Sequence, residues 1–78
     1  MRKMFLLLSQ INEVKEFVNI VSKLPWELYL QRNEYVVDAK SLMGLFSLDL
    51  SKPVAFISTQ DIPEEIYNEL KKFSVDKE

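Results

Sequence analysis

Hydrophobic and polar positions alternate along this chain in short units, and the period switches between about two and about 3.6 residues. Residues 3 to 9, KMFLLLS, form an apolar run short enough for a strand buried by helices on one face. From Ile11 the spacing lengthens: Ile11, Val14, Phe17, Val18 and Val21 share one helical face, with Glu13, Lys15, Glu16 and Asn19 largely elsewhere. Pro25 ends this helix near Lys23 and Leu24, because proline disfavours helical geometry in the residue before it. In WELYLQ the period returns to two, with Trp26, Leu28 and Leu30 on one side and Glu27, Tyr29 and Gln31 on the other. RNE then reads as a hairpin turn in which Asn33 takes a left-handed conformation, followed by a strand in YVVDA.

Ser41 precedes LMGLF, where its hydroxyl suits the N-cap of a short helix burying Leu42, Leu45, Phe46 and Leu48. Met43 falls off that face, a flexible thioether beside a small residue and so an adaptable contact patch. Gly44 costs about 1 kcal/mol of helix propensity relative to alanine, which implies that something approaches the backbone there. A plainer reading remains open, in which Ser41 is only a cap and Met43 only fills a gap. Pro53 then opens a strand, VAFIST. In DIPEEIYNELKKF, Asp61 is the expected N-cap, Pro63 sits in the first turn, Glu64 completes a capping box, and Lys71 and Lys72 close the C-terminal end. Ile62, Ile66, Leu70 and Phe73 make its buried stripe. The expected order is strand, helix, strand, strand, helix, strand, helix. It predicts an α+β open-faced sandwich: a four-stranded antiparallel sheet with three helices on one face.

Seventy-eight residues make a single domain, and a net charge of -2 with dispersed lysines offers no basic stripe for nucleic acid. The chain has no cysteine, which removes disulfides and thiolate metal sites and fits a reducing cytoplasm. The opening MRKMFLLLSQ imitates a signal peptide, but its apolar part stops at Leu8 without a small-residue cleavage site, so it reads as a strand. No apolar run approaches the length needed to span a bilayer. There is also no histidine, which removes the commonest general base, the imidazole phosphoryl acceptor and the usual nitrogen ligand for metals. With no paired carboxylates, calcium loop or Gly-rich phosphate loop, the sequence points to no metal, cofactor or small-molecule substrate and to no catalysis.

The segment AKSLMGLFSLDLSKPV resembles the regulatory-serine segment of the HPr family, the small phosphocarriers of the bacterial sugar phosphotransferase system. The most specific part is Lys40-Ser41-Leu42-Met43-Gly44 followed by Ser47-Leu48, and the element order matches the HPr open-faced sandwich across nearly the whole chain. The resemblance implies that Ser41 is a regulatory phosphorylation site for an HPr kinase/phosphorylase-like enzyme. It also implies a partner surface at Lys40, Leu42, Met43, Gly44 and Ser47.

The other family site is degenerate. Counted back without gaps from Ser41, the phosphocarrier histidine falls at Gln10, and its accompanying arginine and proline fall at Asn12 and Glu13. A glutamine amide cannot accept and pass on a phosphoryl group, so transfer through phosphohistidine is chemically excluded. Glutamine at that place with the serine kept resembles the catabolite-repression HPr-like branch, which implies a LacI-type catabolite control regulator as a further partner. The chain departs from that branch at Asn12, where the arginine is missing. Gln10 can equally be a polar residue at a helix start. The expected function is thus a non-catalytic regulatory module controlled through Ser41, with protein partners and no nucleic-acid or membrane partner. The alternative is a constitutive docking scaffold.

Overall fold

The computed structural model describes residues 2–75. Strand β1 (Arg2–Leu6) leads to helix α1 (Ile11–Val21), the hairpin strands β2 (Leu28–Arg32) and β3 (Tyr35–Asp38), the short helix α2 (Leu42–Phe46), strand β4 (Val54–Ser58) and helix α3 (Glu64–Leu70). A 3-10 turn at Lys71–Phe73 and a two-residue strand β5 (Ser74–Val75) follow.

The sheet has the order β3-β2-β4-β1-β5, and every neighbouring pair is antiparallel. β4 lies between β1 and β2, so α1 crosses over a strand that the chain adds later. That central place explains the near-continuous burial of VAFIS, where one residue in two would be expected for an edge strand. Five strands are observed where four were expected. The 3-10 turn reverses the chain after α3, bringing Phe5 opposite Val75 and Leu6 opposite Ser74, while the Leu7 amide donates to the Phe73 carbonyl at 2.8 Å. Otherwise unpaired edge groups of β1 are thereby satisfied.

Leu6, Leu28, Leu30, Val54 and Phe56 project from the sheet into one cluster with Val14, Phe17, Ile20 and Val21 of α1, Leu45 of α2, and Ile66 and Leu70 of α3. The helices therefore cover a single face, as the strand alternation requires. Phe17 meets Phe56 edge to face, with ring centroids 5.6 Å apart and planes at 89°. Asn33 has φ 56°, the left-handed turn expected of it.

Boundaries differ from expectation in three places. β1 stops at Leu6, yet Leu8 is buried beyond it. β2 begins at Leu28, and Trp26 packs on the core from the preceding loop, where its indole N–H donates to Ser58 Oγ at 2.8 Å. Asp61 does not cap α3: Pro63 holds that position at ψ 144°, and Glu64 is the first helical residue. Proline bars Ile62 from helical geometry, so no helix can start from Asp61. At the other end α3 stops at Leu70, so Lys71 and Lys72 lie in the 3-10 turn rather than in the helix.

Candidate functional site

The two segments singled out in the sequence lie at the starts of α1 and α2, which pack against each other. Gln10 is the N-cap of α1, exposed, with extended backbone at φ -122° and ψ 148°. Glu13 reaches back to accept the Gln10 amide at 3.1 Å and, at 3.4 Å, the Ser9 hydroxyl. The carboxylate thus satisfies donors that a helix start leaves without partners. Asn12 is exposed beside them. Where the resembled family has histidine, arginine and proline, this chain has a helix start bound up with itself, and no imidazole.

Ser41 caps α2 as expected, its backbone extended and its Oγ accepting the Gly44 amide at 3.1 Å. A Cβ on residue 44 would stand 3.3 Å from that Oγ and 3.4 Å from the Cβ of Val37 on β3. A side chain at residue 44 would thus press on the cap of α2, so Ser41 Oγ would have to give by a few tenths of an ångström. Ser47 Oγ donates to the Gly44 carbonyl at 2.6 Å, and Ser51 Oγ to Asp49 at 2.6 Å. The Ser41 hydroxyl proton has no such acceptor among the described residues.

Lys40 is half-buried, and its ammonium donates to the Leu24 carbonyl beyond the end of α1, while its amide donates to Asp38 at 2.9 Å. Its charge is thereby held by the α1–β2 connection rather than offered to Ser41.

The outward side of α2 is apolar. Met43 is 84% exposed, as expected, but Phe46 at 47% and Leu42 at 36% are exposed too, against the expectation that both are buried. With about 100° per residue, the buried face is centred between Leu45 and Leu48, which turns residues 42, 43 and 46 outward. Ile11 is 62% exposed for the same reason: the buried face of α1 is centred on Val14, Phe17 and Val21, with Ile20 at its margin. The short apolar spacing Leu42, Leu45, Phe46 fits two faces, and only contact with the sheet chooses between them. Among the described residues no group of three or more His, Cys, Asp or Glu could hold a metal, and no helix is long and apolar enough to cross a membrane.

No protein-family model matches the chain, and no curated protein is significantly similar to it. Among solved structures it is similar to HPr-C-His from Thermoanaerobacter tengcongensis, with a TM-score of 0.75 and 24% sequence identity over 92% of this chain and 89% of that one. The chain has the HPr-like fold. At this identity the likeness extends to the fold and stops there.

Proposed function

We infer that this protein is a non-catalytic docking module whose partner-facing surface is the exposed side of α2 together with the start of α1, regulated by phosphorylation of Ser41. The observation that carries this reading is the apolar outward side of α2. Leu42, Met43 and Phe46 lie side by side on the outward side of a five-residue helix and stay exposed, and such apolar patches serve protein partners. The HPr-like fold is compatible with partners of the phosphotransferase kind; the resemblance around Ser41 and Gln10 carries the proposal of an HPr kinase/phosphorylase-like enzyme and a LacI-type catabolite control regulator as partners. Carbon catabolite regulation in the cytoplasm is the corresponding setting.

The switch is one of local charge. A phosphate on Ser41 adds about -1.5 to -2 charges at pH 7 beside the apolar patch. α2 has five residues, so its dipole is small, and Lys40 is committed to Leu24. The added charge is therefore displayed rather than neutralised, and a partner supplying arginine or lysine reads it.

The test is incubation with an HPr kinase active on its own substrate, followed by mass spectrometry and by pull-downs from native lysate with both forms. Phosphate confined to Ser41 with a change of captured partner is expected. Phosphate on Ser47 or Ser51, or none at all, leaves Ser41 as a cap and makes α2 a constitutive docking surface.

A further inference from the structure

A second surface, distinct from α2, lies at the opposite kind of element: the free edge of the sheet. β3 is the outermost strand on its side, and Tyr35 and Val36 are 67% and 54% exposed. The Ala39 amide donates to the Leu28 carbonyl at 2.9 Å, which makes Leu28 and Ala39 a hydrogen-bonded pair. By the alternation of an antiparallel ladder, Leu30–Val37 and Arg32–Tyr35 are the next bonded pairs. Val36 therefore points both its N–H and its C=O outward, and Asp38 its N–H, while the Asp38 carbonyl is taken by the Ser41 amide at 3.0 Å. This is a template for one added strand.

The edge is acidic. Glu34 and Asp38 bracket it, and Glu27 lies in the loop just before β2, where it accepts the Tyr29 hydroxyl. Of the nearest cations, Arg32 donates to the Pro53 carbonyl at 3.0 Å, and Lys40, at the margin of the edge, donates to the Leu24 carbonyl. Beside Asp38 opens a cleft of about 310 Å³ lined by Pro25, Trp26, Glu27, Tyr29, Asp38 and Lys40. Aromatic walls with two carboxylates against the one ammonium of Lys40 leave the cleft net acidic, which suits the stem and head of a lysine or arginine side chain.

We propose that the β3 edge and the Trp26–Tyr29 cleft form a strand-addition site for an extended basic peptide segment. A second copy of this chain is the natural rival, and charge disfavours it. Pairing the outward groups of Val36 with the same groups in a second copy places Glu34 directly opposite Asp38, twice, and like charges in that position repel. A segment carrying lysine or arginine at those positions pairs with the same acids instead.

The experiment is a nitrogen-15 NMR titration of the protein with a capped eight-residue peptide alternating lysine and threonine, and with its glutamate counterpart. Saturable shifts of the Val36 and Asp38 amides and the Trp26 indole are expected with the lysine peptide alone. Val36→Pro removes an outward donor without touching the β2 ladder and is expected to abolish these shifts with an unchanged thermal melt. Should that variant unfold, Asp38→Asn and Glu27→Gln keep their hydrogen-bond acceptors and are each expected to weaken binding about two- to fivefold. Equal binding of the glutamate peptide, no shift at Val36 and Asp38, or shifts produced by raising protein concentration without peptide would overturn the proposal, the last assigning the edge to a second copy. None of these outcomes depends on Ser41 phosphorylation.

Discussion

Ser41 and Gly44 are bound to each other in two ways: the Ser41 hydroxyl accepts the Gly44 amide at 3.1 Å, and the same oxygen crowds the place a side chain on residue 44 would take, 3.3 Å from its Cβ. The cap and the glycine are one arrangement, and modification of the serine acts on both.

That coupling has a measurable form. Ser41→Ala removes the cap and is expected to cost about 0.5 to 2 kcal/mol in urea denaturation, while Ser41→Asp keeps an acceptor and loses less. Gly44→Ala gains helix propensity but crowds Ser41 Oγ, so it is expected to be more favourable in the Ser41→Ala background than alone, with a coupling of about 0.5 kcal/mol. Strict additivity would show that the two residues do not share the space.

The faces of α2 divide in stability. Leu45→Ala, at a fully buried position, is expected to cost about 2 to 5 kcal/mol. Met43→Ala and Phe46→Ala are expected to change stability by less than about 1 kcal/mol while reducing partner capture. A large loss for Phe46→Ala in the free protein would return it to the core.

Ser58 is a buried hydroxyl with three hydrogen bonds, accepting the Trp26 indole N–H and the Gln60 amide and donating to the Gln60 carbonyl. Ser58→Ala strands the indole proton, with an expected loss of about 1 to 3 kcal/mol. Tryptophan emission is expected to shift to the red as Trp26 loosens toward water, and unchanged emission would place the indole elsewhere.

Two groups, the exposed Asp49 and the half-buried Tyr29, titrate away from their ordinary values. Hydrogen bonds from the Ser51 hydroxyl and amide hold the Asp49 carboxyl below the usual carboxylate range, and the Tyr29 phenol is pushed up by its hydrogen bond to Glu27, with smaller effects of desolvation and of the Glu27 and Asp38 charges. A lowered carboxyl pKa stabilises the fold above the unfolded value and loses that contribution as pH falls through the folded one; a raised phenol pKa stabilises below the unfolded value and loses it as pH rises through the folded one. NMR titration is expected to show Asp49 rising in Ser51→Ala and Tyr29 falling in Glu27→Gln. Unmoved midpoints would remove both assignments.

Phosphoenolpyruvate with the general phosphotransferase enzyme is expected to leave the protein unlabelled, because it has no imidazole to form a phosphoramidate. Gln10→His alone is expected to restore little, since Asn12 and Glu13 lack the family's arginine and proline, and Glu13 is occupied with the Gln10 amide. Acid-labile label on the unaltered chain would contradict the first expectation, and efficient transfer by the single variant the second.

Local periodicity and turn chemistry by themselves determined the seven principal elements, the left-handed Asn33, the Ser41 cap and the one-sided sheet, because each rests on residues within a few positions of one another. The absence of an imidazole was likewise a matter of composition. Tertiary structure decided what depends on distant partners. β5 forms because a turn after α3 delivers Ser74 and Val75 to the open edge of β1, about seventy residues away in sequence. Trp26 finds its hydroxyl on β4, thirty-two residues on. The rotation of α2 that buries Leu45 and leaves Phe46 in water is settled by its packing on α1 and β3, which a five-residue helix has no periodicity to encode.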